Sequence, residues 1–445
     1  MKLKFKTVLA SLALAAGLFM MPQVNALADG PAYKEVEPNN FNFDGNKIVL
    51  YDCITGTLPQ GDTDWYKIYL PVSESYNFWL KSTYSSSSFN VTVYDENRNV
   101  VFSGSPNATN IVSFDSNLKG LYYVKVKDEG NFGGNVLYNF EFASNDSHDS
   151  ALYRFAGVNR YDTSYNIFKN NWNYCSYAVI TTGESFPDAL SAAPLAKKYN
   201  APIILTDPKE LSTNVENQLR NTGVKNVFII GGTGAVSQSV EDKLGSMGIT
   251  CRRIAGQSRY DTSLNIAKYL NPNGKAIVAT GRNFPDALSI ASIAACNETP
   301  ILLVDNNDSN DNVLKYIKDN GIIKTVIVGG TGVVSGEIET SLNKITTTTR
   351  LAGSNRYGTN IEILKYYQAE LRLNEMYFAT GLNFPDALSG SVIAAAGANP
   401  VVLIDKEIDS NTRDYLVINS NRVFGRCIFG GEGIIPTTTV SQFFH

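Results

Sequence analysis

The chain has 445 residues, a formal net charge of -4, 43% hydrophobic residues and 18% charged residues. These values are typical of a folded protein of three to four domains, and they exclude a disordered or collagen-like chain. The negative net charge argues against general nucleic-acid binding. The histidines, His148 and His445, leave almost nothing for a histidine base or a histidine-ligated zinc ion.

The N-terminus has the pattern of a secretory signal peptide. Lys2, Lys4 and Lys6 precede an apolar run over 7–21, and small residues that suit a signal peptidase follow it. We therefore predict a signal peptide over 1–26, and the alternative is an uncleaved membrane anchor. Because no later segment has the ~20 apolar residues needed to span a bilayer, we expect an exported protein with no membrane contact after cleavage.

Residues 27–145 have the period-two pattern of an antiparallel β-sandwich. Short strands rich in aromatic and β-branched residues alternate with polar turns; they are predicted at 65–70, 76–80, 90–94, 111–114, 121–126 and 136–142. Carboxylate and amide oxygens cluster before the first of them, and such oxygens suit Ca²⁺. An acidic linker and an ordinary turn would have the same composition. The candidate metal ligands are Glu35, Glu37, Asn39, Asn40, Asp62 and Asp64.

After a polar linker over 146–152, the chain repeats itself three times. Arg-x-Ala-Gly-x-x-Arg-Tyr begins at Arg154, Arg253 and Arg350, and Phe-Pro-Asp-Ala-Leu-Ser follows in every copy. The aspartates of the second motif are 98 and then 100 residues apart. That period is long for a solenoid repeat and fits a complete small domain copied in tandem. The predicted copies cover 153–251, 252–349 and 350–445.

Each copy predicts an open α/β unit with a parallel sheet covered on both faces. A helix capped by Asp162-Thr163 or Asp261-Thr262 is followed by a buried strand that ends in Thr-Gly. A helix with proline in its first turn comes next, and two further strands follow, the second of which ends in Gly-Gly. The predicted fold is therefore multidomain, with one sandwich and three tandem α/β repeats.

The recurring arginines and glycine turns are the candidate ligand contacts. Ligands of such sheets bind beyond the carboxyl ends of the strands, and arginine forms bidentate contacts with phosphate or carboxylate groups. The glycines could instead only close turns, and the arginines could pair with Asp188, Asp286 or Asp386 of the same motifs. The predicted polymer contacts are Arg154, Arg160, Thr182, Gly183, Ser191, Arg253, Arg259, Arg282, Ser289, Arg350, Arg356 and Ser389.

The sequence contains little that suggests catalysis. It has no Gly-x-Ser-x-Gly motif, and two peripheral histidines cannot complete a nucleophile triad. The cysteines are Cys53, Cys175, Cys251, Cys296 and Cys427; they form no Cys-x-x-Cys pair and are predicted to be buried, unpaired thiols. A site present in three copies suits multivalent binding better than turnover.

The three repeats closely resemble the cell wall binding repeat 2 family of clostridia and bacilli. The resemblance covers Tyr153 to about Phe444 and implies non-covalent anchoring to anionic, teichoic-acid-like polysaccharides of the Gram-positive wall, by repeats in a pseudo-threefold triangle. The third copy departs from the pattern, because Gly358 replaces the capping aspartate and Gly431-Glu432-Gly433 replaces Gly-Thr-Gly.

The segment 35–142 resembles the bacterial pre-peptidase C-terminal domain, through Glu-Pro-Asn-Asn and Asp-x-Asp-Trp-Tyr. This resemblance implies a calcium site in the leading segment. The favoured hypothesis is a non-enzymatic, secreted cell-surface protein that the repeats anchor and that displays the sandwich. One alternative is a calcium-dependent adhesin that binds a collagen-like host matrix, or another host or envelope protein, through the sandwich. A wall hydrolase is the more distant alternative.

Overall fold

The computed structural model describes residues 33–34, 46–48, 54–58, 62–82, 89–105, 111–129, 136–144 and 151–444, except residues 186, 272 and 424. Across these ranges the chain forms a mainly antiparallel N-terminal sheet, followed by three parallel four-stranded sheets with helices. The predicted succession of an antiparallel module and three α/β units is confirmed.

The N-terminal module is one eight-stranded sheet with the strand order β1-β3-β8-β4-β7-β5-β6, and β2 pairs with β4. β1–β3 and β2–β4 are parallel pairs, and the others are antiparallel. A division into two packed layers, as in a sandwich, stays a prediction. The strands are β1 (Tyr33–Lys34), β2 (Asn46–Ile48), β3 (Ile54–Leu58), β4 (Thr63–Ser82), β5 (Phe89–Tyr94), β6 (Val100–Gly104), β7 (Ile111–Asp128) and β8 (Val136–Ser144).

Four of the predicted N-terminal strands are joined in pairs. The predicted strands at 65–70 and 76–80 are both parts of β4, and those at 111–114 and 121–126 are both parts of β7. Irregular pairing between Leu70 and Tyr76 lets the two long strands bend. The alternation of burial along β4 and β7 places Tyr66, Ile68 and Val124 in one apolar core.

The first α/β unit follows β9 (Ala151–Phe155), and its strands and helices alternate as predicted. They are α1 (Arg160–Asn171), β10 (Tyr177–Thr182), a 3₁₀ turn (Ala189–Ser191), α2 (Ala192–Lys198), β11 (Ile203–Thr206), α3 (Thr213–Asn221), β12 (Asn226–Ile230), α4 (Gln238–Ser246) and β13 (Thr250–Ile254). The predicted helix start at Pro187 is wrong in this copy, because a 3₁₀ turn precedes the α-helix, which begins at Ala192.

The second and third units repeat this order of elements. The second has α5 (Arg259–Ala267), β14 (Lys275–Thr280), α6 (Pro285–Cys296), β15 (Ile301–Val304), α7 (Asp311–Asp319), β16 (Lys324–Val328), α8 (Gly336–Asn343) and β17 (Thr347–Leu351). The third has α9 (Arg356–Tyr366), β18 (Glu375–Thr380), α10 (Pro385–Ala396), β19 (Val401–Ile404), α11 (Ser410–Asn419), β20 (Gly425–Phe429) and α12 (Thr437–Ser441), with 3₁₀ turns at Gln368–Glu370 and Ser420–Arg422.

The sheet of the third unit is completed by a strand from the start of the repeat region. The first two sheets have the orders β11-β10-β12-β13 and β15-β14-β16-β17, whereas the third has the order β19-β18-β20-β9. β9 pairs in parallel with β20 from Gly425↔Ala151 to Phe429↔Phe155. Each Arg-x-Ala-Gly motif therefore begins in the edge strand of one sheet and is followed by the first helix of the next unit. The motif of the first copy begins in β9, so it belongs to the third sheet.

The units meet through the helices that follow the Phe-Pro-Asp motif. α2, α6 and α10 contact one another pairwise, and each of them also contacts the first helix of a neighbouring unit. Pro285, Ala287 and all other residues of α6 as far as Ala295 are buried, except Asp286. A helix that is apolar on all sides has to be surrounded by protein, and these three helices supply that environment for one another.

The structure corrects the predicted helix caps. The side chains of Asn159, Ser258 and Asn355 accept hydrogen bonds from the first backbone N–H groups of α1, α5 and α9. Asp261 acts as the second partner of a capping box with Ser258. Because Asn355 caps α9 in the third copy, Gly358 does not remove the cap there.

Candidate functional site

The first arginine of each repeat motif is bound within its own fold. Arg253 donates from Nε and Nη2 to Glu241 Oε2, at 3.0 and 2.7 Å, and from Nη1 to the carbonyl oxygens of Gly231 and Val236, at 2.9 and 2.8 Å. Arg350 repeats this arrangement with Glu339 and Gly329. Both arginines therefore fasten the Gly-Gly loop to the helix that follows it.

Arg154 does the same for the third sheet, but with an acid at a different position. Its Nη1 donates to the Gly430 carbonyl at 2.6 Å, and its Nη2 donates to Glu432 Oε2 at 2.7 Å. The last helix, Thr437–Ser441, has no acidic residue, and Glu432 in the loop supplies the missing carboxylate. The departure of the third copy from Gly-Thr-Gly thus has a structural role.

The second arginine supports the Thr-Gly turn at the carboxyl end of the middle strand. Nη1 of Arg160, Arg259 and Arg356 donates to the carbonyl oxygen of Gly183, Gly281 or Gly381, with N···O distances of 2.5, 2.7 and 2.6 Å respectively. Among the described residues, Arg160 and Arg356 each make this one hydrogen bond with their side chain, whereas Arg253 makes four. Arg160 and Arg356 thus keep most of their donor groups available.

The glycine of each Thr-Gly turn is required by close packing. A Cβ on Gly183 would lie 2.5 Å from Cε1 of Tyr161 and 3.1 Å from Cδ of Arg160, and the other two copies have the same crowding. The threonine before it shapes the turn, because Thr182 Oγ1 accepts from the backbone N–H of Glu184 at 3.1 Å. Thr182 and Gly183 are therefore structural supports of the predicted site.

The second arginines also lie at the contacts between units, which we call junctions. The Arg160 guanidinium of the first unit is 5.9 Å from the ring centroid of Phe384 in the third unit. Arg356 of the third unit is 5.8 Å from the ring of Phe284 in the second. α5, which carries Arg259, contacts α2 of the first unit. Each junction thus combines a turn of one unit with the Phe-Pro-Asp helix of another.

The aspartates of the second and third Phe-Pro-Asp motifs, Asp286 and Asp386, lie in junctions. Burial raises the pKa of Asp386 to about 6, although the Thr163 hydroxyl and Arg160 oppose this shift. Burial likewise raises the pKa of Asp286, against the opposing charge of Arg356. Oδ2 of Asp386 is so close to Gly430, a residue with φ +106°, that a Cβ there would lie 2.6 Å away. Among the described residues no ion pair joins Asp286 or Asp386 to an arginine, so the predicted salt bridge is not formed there. Arg356 and Arg160 instead act on these aspartates across units as nearby positive charges.

The predicted serines lie inside the protein. Ser191, Ser289 and Ser389 are at most 1% exposed, and Ser289 Oγ donates to the Pro285 carbonyl at 2.8 Å. Their burial separates them from the exposed turns. Three tyrosines that are not among the predicted contacts lie beside those turns. The hydroxyls of Tyr161, Tyr260 and Tyr357 donate to Glu184, Asp305 and Asp405 respectively. Their recurrence after each second arginine was the available signal.

Two of the candidate metal ligands are described, and both already accept hydrogen bonds. Asp64 is fully buried, and its Oδ2 accepts from Tyr138 Oη at 2.5 Å. Asp62 Oδ1 accepts from the N–H of Thr63 at 2.8 Å. Glu35, Glu37, Asn39 and Asn40 lie outside the described residues. Within the described ranges, no three acidic, histidine or cysteine side chains come together as a metal site.

The remaining sequence predictions concern cysteines, histidines and membrane contact. Cys175, Cys251, Cys296 and Cys427 form no disulfide bond; two are buried and two are half-buried. Cys53, the signal peptide and both histidines lie outside the described residues. In the part of the chain that the structure describes, no helix combines the length and the apolar character needed to cross a bilayer.

Residues 154–241, 253–339 and 350–440 each match Cell wall binding domain 2 (CWB2). The chain is 36% identical over 294 residues to N-acetylmuramoyl-L-alanine amidase LytC of Bacillus subtilis (strain 168), a match that covers 66% of this chain and 58% of that protein. The chain thus corresponds to little more than half of this curated relative.

Two solved structures are also similar. Cwp8 from Clostridium difficile matches with 27% identity and a TM-score of 0.61, over 66% of this chain and 51% of that one. Cwp6 from Clostridium difficile matches with 20% identity and a TM-score of 0.66, over 84% of this chain and 67% of that one, and shows a shared fold. Because the three matched stretches make up more than half of the sequence, the chain belongs to the Cell wall binding domain 2 (CWB2) family.

Proposed function

We propose that this protein is exported and is held non-covalently at the Gram-positive cell wall by anionic, teichoic-acid-like polymers. The observation that carries the proposal is the difference between the two arginines of each motif. Arg253 uses its guanidinium within the fold, whereas Arg160 and Arg356 each make one hydrogen bond among the described residues. Guanidinium groups with remaining donors at the carboxyl edge of a parallel sheet suit phosphate or carboxylate ligands.

The three units would bind as a multivalent set arranged about a pseudo-threefold axis. The pairwise contacts of α2, α6 and α10 support this arrangement, as do the equivalent contacts of Arg160 with Phe384 and of Arg356 with Phe284. Several modest contacts on one repeating polymer raise the overall affinity without any new interaction. A long polymer with a regularly spaced charge is therefore the ligand class that this geometry favours.

Binding, without catalysis, is the proposed activity of the chain. LytC is named as an amidase, but the match spans only 58% of that protein. A charge interaction of Asp286 and of Asp386 with an arginine of a neighbouring unit accounts for the recurrence of these aspartates without a reaction. Assaying released muropeptides while binding is measured tests the hydrolase alternative.

Co-sedimentation with isolated Gram-positive cell walls tests the anchoring proposal. We expect the protein to sediment with untreated walls and to remain in solution once the anionic polymers have been extracted. The triple variant Arg160→Ala, Arg259→Ala, Arg356→Ala should lose most of the binding. Its matched control removes three exposed lysines at the opposite, amino ends of strands: Lys225→Ala, Lys275→Ala and Lys324→Ala. Equal binding by both triple variants, each with a wild-type circular dichroism spectrum, would contradict the proposal.

A second function is proposed for the N-terminal sheet, as a displayed module that binds a host or envelope protein in a calcium-dependent manner. The observation that favours it is an aromatic and basic group on the outer face, where the rings of Trp65 and Tyr94 are 5.3 Å apart and Lys125 Nζ is 5.7 Å from the Trp65 ring. Tyrosine and tryptophan are typical anchors of protein interfaces. Adhesion of the full chain to immobilised collagen, with calcium or with a chelator, is expected to fall in Trp65→Ala and with the chelator.

A further inference from the structure

The three Thr-Gly turns differ in charge at one exposed position. The position after the glycine is Glu184 in the first unit, Arg282 in the second and Leu382 in the third, and its backbone N–H bonds to the preceding threonine in every copy. All three side chains are exposed on equivalent turns. The backbone of the turn is therefore the same in all three units, but the side chain at this position is negative in the first, positive in the second and apolar in the third.

The second unit has two arginines at its turn. Arg259 donates to the Gly281 carbonyl at 2.7 Å, and Arg282 is the next residue. Asp305 neutralises one of the two charges, because its Oδ1 is 2.7 Å from Nε and 2.6 Å from Nη2 of Arg282. The Arg282 side chain remains 52% exposed. This turn therefore presents exposed guanidinium surface at a position where the other two turns have no arginine.

The first unit has Glu184 in place of this arginine. Glu184 accepts a hydrogen bond from the Tyr161 hydroxyl, and Asp207 is a further negative charge near this tyrosine. The two carboxylates face the single guanidinium of Arg160. Glu184 therefore weakens the binding of an anionic polymer by Arg160 at this turn, because like charges brought together in a contact are costly.

The third sheet has an apolar carboxyl edge. Leu382, Ile434 and Val158 follow the adjacent strands β18, β20 and β9 and are 60%, 49% and 98% exposed. Glu432 in the same edge pairs with Arg154. The turn of the third unit therefore has an apolar residue, Leu382, where the second unit has Arg282.

We propose that the turn of the second unit is the principal anion contact of the protein and that Arg282 is its specificity-determining residue. The ligand is a phosphodiester or carboxylate group of the wall polymer, so this inference rests on the proposed wall anchoring. The three units then contribute unequally to binding. The second unit binds the anionic group of the polymer, and the other two make weaker contacts that help to position it.

Wall co-sedimentation of the full chain, titrated to give an apparent Kd, tests this inference. Arg282→Glu is expected to weaken binding at least tenfold. The control is Lys275→Glu, which makes the same change of charge at the exposed amino end of β14, the strand that leads to Arg282. It should bind within about twofold of the wild type. Walls treated with hydrofluoric acid, which removes phosphodiester polymers, distinguish a phosphate ligand from a carboxylate one.

Leu382→Arg provides the complementary gain of function. Introduced into Arg282→Glu, it places an arginine beside Asp405, as Arg282 lies beside Asp305, and should restore a substantial part of the lost binding. If the wild type binds but Arg282→Glu and Lys275→Glu bind alike, the assignment to the second turn is overturned and wall anchoring stands. If the wild type does not bind untreated walls, the anchoring proposal itself fails.

Discussion

Replacing Arg253 by alanine separates the structural role of the first arginine from the binding role of the second. Arg253→Ala removes two hydrogen bonds to the Glu241 carboxylate and two to the carbonyls of Gly231 and Val236. Hydrogen bonds that involve a charged group contribute about 1.5–3 kcal/mol each, and the four share one side chain. Since 17% of Arg253 and 24% of Glu241 are exposed, we expect a loss of about 3 kcal/mol in the free energy of unfolding.

Urea unfolding measures the total loss in the free energy of unfolding. Hydrogen exchange of the intact protein, followed in the segment 226–237, measures the local loss. The N–H of Gly231, which donates to Ile254 at 2.9 Å, should exchange faster when the loop is released. Glu241→Ala is expected to reproduce most of the effect, whereas Glu432→Ala in the third unit should cost less, because the Glu432 side chain is 62% exposed. If Arg253→Ala leaves stability within about 0.5 kcal/mol of the wild type but abolishes wall binding, the division of roles between the two arginines is wrong.

Two further predictions concern the third unit. Folding raises the pKa of Asp386 from an ordinary value of 3.8 to about 6. Between about pH 4 and 6, the folded protein therefore keeps a proton on Asp386 that the unfolded chain releases. The contribution of Asp386 to stability is thus largest at low pH and is lost as the pH rises through 6. Asp386→Asn should remove this part of the pH dependence. The measurement is the difference between the urea midpoints at pH 5 and pH 7, compared with that of the wild type. An unchanged difference would refute the raised pKa of Asp386. Tyr153→Phe should destabilise the chain by about 1–3 kcal/mol, because its hydroxyl donates to the buried Glu375 carboxylate and ties β9 to the third sheet; Tyr165→Phe on α1 is the control, and equal unfolding midpoints for the two variants would contradict that role.

The type and order of the α/β elements could be predicted from local patterns. Continuous apolar strands, a proline at the start of α6 and α10, and glycines after the strands are determined by backbone preference and burial over a few residues. The motif spacing also revealed three copies without any knowledge of their contacts. In the N-terminal module the same reasoning found most strands but divided β4 and β7, because a bend in a long strand and a turn between two short ones have similar composition.

The roles of the arginines could not be obtained in this way. Arg154 and Arg160 are chemically identical and six residues apart, and what distinguishes them is which acceptors the chain brings to them from distant positions. For Arg154 these acceptors are Gly430 and Glu432, more than 270 residues later. A hydrogen bond of this kind depends on sheet assembly and leaves no mark on the local pattern.

The sequence by itself determined that this protein contains three copies of one α/β unit, and where each strand ends in a glycine turn, because those features follow from residue-by-residue preferences. Only the tertiary structure decided that β9 completes the third sheet, that aspartates such as Asp386 are enclosed between units, and that one arginine of each pair is committed to the fold. The physical reason is that burial and hydrogen bonding depend on which surfaces meet, and these surfaces lie far apart along the chain.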